Sequence, residues 1–242
     1  MSGTDRPRVL VPVQVLAGEG VSHGLITLLA DADVVLLGYH VIPEQTAPAQ
    51  ARLSFEDRAV GKLEEIETAL TEAGARVERT LVFTQDAEQT IERVAADEDC
   101  VAVAYPNPVT ACQRVLVVLH GEVDAARLGT VTAGLAAGRD IHVGVVEVVG
   151  HDELPNRTGR TVDALEVGGV DRALIHESVM RTDAPVRDLT VLADDFDATV
   201  LGEREPTLRE LLFGEFDERV IAESLGPVVV VRRVEPEAGS ED

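Results

Sequence analysis

One hexapeptide motif occurs twice in this chain. Residues 8–13 read RVLVPV and residues 114–119 read RVLVVL, with Arg114 lying 106 residues after Arg8. Asp33 and the run 34–42 (VVLLGYHVI) are echoed by Asp140 and the run 141–149 (IHVGVVEVV), Asp140 lying 107 residues after Asp33. A single internal duplication explains both correspondences, because their offsets nearly coincide. The chain is therefore expected to build one kind of unit twice, and each copy opens on a run that suits a buried parallel strand.

The first copy predicts strands and helices in alternation. Residues 8–15 form a strand in which Pro12 lacks a ladder donor. A short helix follows from Val21, then the strand 34–42, then a loop over 43–51. Val60, Leu63, Ile66 and Leu70 recur at helical spacing before Gly74, and a third strand spans 77–83. Asp86 with Gln89 makes a capping box for a helix carrying Ile91, Val94 and Ala95, and a fourth strand covers 101–104 before YPNP.

The second copy has a helix over 123–137, a polar loop over 150–160 and a short helix within 161–174 broken near Gly168-Gly169. A strand near 175–180 follows, then a helix capped by Asp183 with Pro185 in its first turn. It alone is completed by a closing unit. Thr199, Val200 and Leu201 run to Gly202, and a helix after Gly214 aligns Phe216, Val220, Ile221 and Leu225. Gly226-Pro227 stops that helix before the all-valine strand 228–231. The fold class is thus α/β, two repeats of a doubly wound parallel sheet, the first lacking the closing loop-helix-strand unit. The repeats divide at residues 1–108 and 109–235, and 236–242 is an acidic tail.

Composition bounds the function. Asp and Glu number 44 against 21 Lys and Arg, for a net charge of −23, and Lys62 is the single lysine. Carboxylates dispersed along a well-patterned chain point to a protein adapted to high salt, where screening relieves self-repulsion. That charge argues against nucleic-acid or anionic-membrane partners. No run approaches a membrane span and the N-terminus has no signal-peptide arrangement, so no membrane insertion and a cytoplasmic location are expected. Cys100 and Cys112 lack CxxC spacing and read as structural.

The paired opening strands and the G-(loop)-G-(helix)-GPVVVV closure resemble the universal stress protein family, over roughly residues 8–233. The resemblance implies the adenine nucleotide alpha hydrolase-like fold, a homodimer through the last strand, and one of two groups, nucleotide-binding or non-binding. Binding members carry a loop G-x2-G-x9-G-[ST] and an Asp ending the first strand. Here Gly202 matches the first Gly, Glu205 stands at the second, and Gly214 comes one residue early for the third. Glu215 replaces the Ser or Thr, while Gln14 and His120 replace the two strand-end Asp residues. A carboxylate at Glu215 would compete with phosphate for helix amides. Gly202, Gly214, Glu215, His120 and Gln14 are therefore expected to form a vestigial or altered nucleotide site.

No nucleophile elbow, full P-loop or metal spacing occurs; His40, His142 and His176 read as core or second-face positions. The expected function is a non-enzymatic regulatory or protective role in stress response, with a protein partner or small ligand and no required cofactor, ATP being disfavoured. Two alternatives remain open: an adenine-nucleotide sensor or weak hydrolase using the second repeat, and a soluble regulatory partner of a membrane transporter.

Overall fold

A computed structural model describes residues 6–43, 48–203 and 226–233. The elements in chain order are β1 (Arg8–Gln14), α1 (His23–Leu28), β2 (Asp33–Val41), α2 (Pro48–Ala73), β3 (Arg76–Thr84), α3 (Ala87–Asp97) and β4 (Ala102–Tyr105). They continue with β5 (Arg114–Leu119), α4 (Ala125–Ala136), β6 (His142–Val149), α5 (Thr158–Val167), β7 (Ile175–Arg181), α6 (Pro185–Ala193), β8 (Ala198–Gly202) and β9 (Val228–Val231). The strands form one nine-stranded sheet in the order β3-β2-β1-β4-β9-β8-β5-β6-β7.

All pairings but one are parallel. The exception joins the halves: β9 runs parallel to β8 on one side and antiparallel to β4 on the other, with Val230 opposite both Leu201 and Val103. Each half thus has the order third-second-first-fourth, and β9 lies between the two fourth strands. Pairing on both sides of β9 overturns the expectation of a homodimer through the last strand, since its edge groups are already bonded within the chain. The short β4 edge, which the first half lacks the means to close, is covered by the other half.

Apolar residues explain the layering. Odd-numbered side chains of β1 (Val9, Val11, Val13) and of β5 (Val115, Val117, Leu119) enter one core with Leu25 and Leu28 of α1, Leu63, Ile66 and Leu70 of α2, Leu128 of α4 and Leu165 of α5. That core is continuous across both halves. The opposite face carries two separate cores: Leu10 and Leu37 beneath Ile91 and Val94 of α3, and Leu116 and Val118 beneath Leu189 of α6. Alternation along each strand delivers the two faces.

Two arginines bind the halves together. Arg139, just past α4, donates to the Leu28 carbonyl at 3.2 Å and pairs with Asp31 at 2.8 Å, placing a cation at the carboxyl end of α1. Arg232, following β9, donates to the carbonyls of Ala95 at 2.8 Å and Cys100 at 3.2 Å in the first half, while its own carbonyl accepts from Arg127 of α4 at 2.7 Å.

Several local expectations change. α2 begins at Pro48 within the expected loop, because proline suits the first turn of a helix. α5 begins at Thr158, earlier than the polar composition suggests, and stops where Gly169 adopts a φ of +96°. Asp183 does not cap α6. Thr182 Oγ1 accepts the Ala184 amide at 2.9 Å and donates to Asp188, while Asp183 faces His151 at 3.2 Å. His142 and His176 are exposed on neighbouring strands, 3.4 Å apart nitrogen to nitrogen, and so are not core residues. Register also corrects the second echo: Arg8 opposes Asp33 and Arg114 opposes His142, so His142, not Asp140, stands where Asp33 does. A shift of two residues preserves which side chains face the core.

Candidate functional site

Ligands of open α/β sheets settle at the carboxyl ends of the strands, where neighbouring connections diverge. Because β4 and β9 are antiparallel, the two halves present these ends on opposite edges of the sheet. Gln14 closes β1 on one edge; His120 follows β5, and Gly202 ends β8, on the other. The structure therefore separates Gln14 from His120 and Gly202. Gly214 and Glu215, with Glu205, lie outside the described residues.

The first-half edge is occupied by the chain itself. Residues 106–113 run from β4 to β5 along it. Asn107 donates to the Gly226 carbonyl at 2.9 Å and its own carbonyl accepts from Ser22 at 3.0 Å. The Gly24 amide, in the first turn of α1, donates to the Val109 carbonyl at 3.2 Å. A Cβ on Gly24 would stand 2.6 Å from Val109 Cγ1 and 2.9 Å from the Ala111 carbonyl carbon, so only glycine permits this seating. Asp197 fastens the far end, accepting the Gln113 and Arg114 amides at 2.8 Å each. The Gln14 amide is likewise taken, by Glu19 Oε2 at 2.6 Å.

On the second-half edge His120 is half-buried, and Gly121 turns the chain with a φ of +62°. Val123 folds back over Gly202, where a Cβ would lie 2.8 Å from Val123 Cγ1. The bare backbone of Gly202 thus serves a valine contact within the chain. Glu203 continues the closure: its amide donates to the Val231 carbonyl at 2.9 Å and its carboxylate accepts the Arg233 amide at 2.8 Å.

The most concentrated chemistry lies beside this edge at Glu147 of β6, whose residue is 1% exposed. Its Oε1 accepts the Asn156 amide and Arg157 Nε, both at 3.0 Å. Its Oε2 accepts the amides of Arg157 at 3.0 Å and Thr158 at 3.1 Å, and the Thr158 hydroxyl at 2.9 Å. Arg157 also donates to the Gly121 carbonyl, linking this knot to the loop after β5. Burial by itself pushes the carboxyl up, but the amides of Asn156 and Arg157, the Arg157 guanidinium and Thr158 prevail and hold it down at about 2. At neutral pH an internal anion therefore occupies the amino terminus of α5, where a bound anion would otherwise sit. An open groove of about 500 Å³ lies alongside, lined by Glu147, Pro155, Thr158, Glu177 and Val179 among others.

Glu147 was not among the residues expected in a site. The signal was present: a lone carboxylate within an apolar strand is a buried charge that must find donors. In the first half the equivalent position, also opposite the sixth residue of the opening strand, is Gly38, and there Leu63 of α2 fills the space. The cysteines behave as expected of buried thiols, burial pushing Cys100 up to about 11 and Cys112 up to about 12. Among the described residues no group of three or more His, Cys, Asp or Glu is placed to hold a metal ion, and no helix is long and apolar enough to cross a membrane.

No protein-family model and no curated protein matches this sequence. Solved structures do. A universal stress protein from Archaeoglobus fulgidus DSM 4304 superposes with a TM-score of 0.59 at 14% identity, covering 93% of this chain and 96% of that one. A protein from Pseudomonas aeruginosa PAO1 titled as functionally unknown gives 0.48 at 14% identity, covering 95% and 93%. A putative universal stress protein from Pseudomonas aeruginosa UCBPP-PA14 gives 0.46 at 13% identity, covering 95% and 94%. The first match shows that the whole described sheet, both halves included, has the fold of a universal stress protein.

Proposed function

We propose that this chain is a tandem universal-stress-type protein with a non-enzymatic, regulatory or protective role in stress response, acting without the usual use of ATP. The seating of residues 106–113 across the first-half edge is the observation that carries the proposal. It leaves the Gly24 amide bonded to Val109, and on the same edge Glu19 separately takes the Gln14 backbone amide. In the second half the reading rests on Val123 packed over Gly202, on the internal anion Glu147, and on a loop sequence that carries Glu205 and Glu215 in place of glycine and hydroxyl. With −23 charges, the partner is a protein or a small ligand, not nucleic acid.

The test is genetic. A deletion strain should lose survival under one of several stresses (heat, oxidant, salt downshift, starvation), and a His120→Ala copy should restore it as fully as the wild-type copy. Normal survival of the deletion strain under all of them would refute the stress role. Failure of His120→Ala at normal abundance would instead assign the second-half edge a ligand-dependent activity.

A further inference from the structure

The two outer strands of the sheet are unlike. β3 presents Arg76, Glu78 and Arg79, and its charges are engaged: Arg79 pairs with Glu64 at 3.1 Å and Glu67 at 3.3 Å on α2, and Glu78 with Arg8 at 2.8 Å. The long α2 packs along it. β7 has no such cover. α5 is short and packs against α4 and β6, so Val179 of β7 is 46% exposed although it stands beside buried Glu147. His176, Glu177, Ser178 and Arg181 are exposed as well. β7 holds no proline and no lysine, and among the described strands its one neighbour is β6. An outer strand left uncovered and paired on one side only is a template for another strand.

We propose that β7 is the dimer interface of this protein, pairing antiparallel with β7 of a second copy about a two-fold axis through Val179. The strand's own charges select the occupant and the register. A two-fold axis normal to the sheet requires that paired residues share a face, so the axis must pass through one residue. Centred on Val179, valine faces valine and Glu177 faces Arg181 of the second copy, twice. Centred on Glu177, carboxylate meets carboxylate; centred on Ser178 or Met180, Glu177 and Arg181 do not meet. Only one register is therefore self-complementary in charge, and opposite charges across an antiparallel pair stabilise it. Both groups keep an atom for the purpose. Arg172 engages Glu177 through Oε1, and Arg181 holds the Gly150, His151 and Glu153 carbonyls through Nη1. No described residue takes Glu177 Oε2 or Arg181 Nη2. Pairing here would satisfy the outward backbone groups of β7 and join the two open grooves across the axis.

Light scattering on the full chain in molar KCl tests this, with circular dichroism to confirm that each variant folds. The wild type should have twice the monomer mass. Val179→Asp, which sets two carboxylates across the axis at an already exposed position, and Glu177→Arg, which sets arginine against arginine, should both give monomers. Val179→Thr should remain a dimer. A monomeric wild type, or a dimer that survives Val179→Asp, overturns the interface; a dimer lost in Val179→Asp but kept in Glu177→Arg overturns the register.

Discussion

At the scale of single residues one buried carboxylate ties residues 156–158 to β6. Glu147 is buried and accepts five hydrogen bonds, and removing it would take the shared acceptor from the exposed Asn156 and the half-buried Arg157 and Thr158. Glu147→Ala should lower unfolding stability by about 3 kcal/mol in denaturant titrations in molar KCl, and Glu147→Gln by less. The pH dependence has a definite sign. The folded carboxyl titrates at about 2, below its unfolded value, so its stabilisation is complete at neutral pH and is lost as pH falls from about 4.5 towards 2. The stability gap between wild type and Glu147→Gln should therefore narrow through that window, and a gap independent of pH would contradict the assigned role. A glutamate in a valine run was readable as an anomaly. Its donors were not, because Asn156, Arg157 and Thr158 belong to a polar stretch whose path only the fold reveals.

At the scale of elements, strands and helices were legible because burial imposes periods of two and 3.6 on the sequence wherever an element packs. The Ile91, Val94 and Ala95 stripe, the Asp86 cap and the left-handed Gly226 all stand where the periodicity and turn chemistry put them. The neighbours of β9 were not legible, since four valines fit between any two apolar strands in either direction. Neither was the path of residues 106–113, a loop by composition but a fixed strap in the fold. Gly24→Val should unseat that strap, because the added Cβ meets the Ala111 backbone as well as a side chain. The expected cost is about 1–3 kcal/mol, together with new proteolytic cleavage within 106–113. Unchanged cleavage in a stable Gly24→Val variant would show that the strap is not held there.

At the scale of the whole molecule the halves are joined by a continuous core, by the β4–β9 ladder and by Arg139 and Arg232. Thermal unfolding should accordingly show one transition for both halves. Arg232→Ala, which strips hydrogen bonds from Ala95 and Cys100, should cost about 1–3 kcal/mol and reduce hydrogen-exchange protection in α3 and in β9 together. Loss confined to one half would mean that the halves open separately. The same joining carries residues 106–113 across the first-half edge, where Ser22, Gly24 and Gly226 hold them, and on the function proposed above neither edge takes ATP in the standard way. Calorimetric titration of nucleotide-stripped protein with Mg·ATP in molar KCl probes that directly. No binding heat should appear up to millimolar ATP, whereas a saturable isotherm with a micromolar Kd would contradict it.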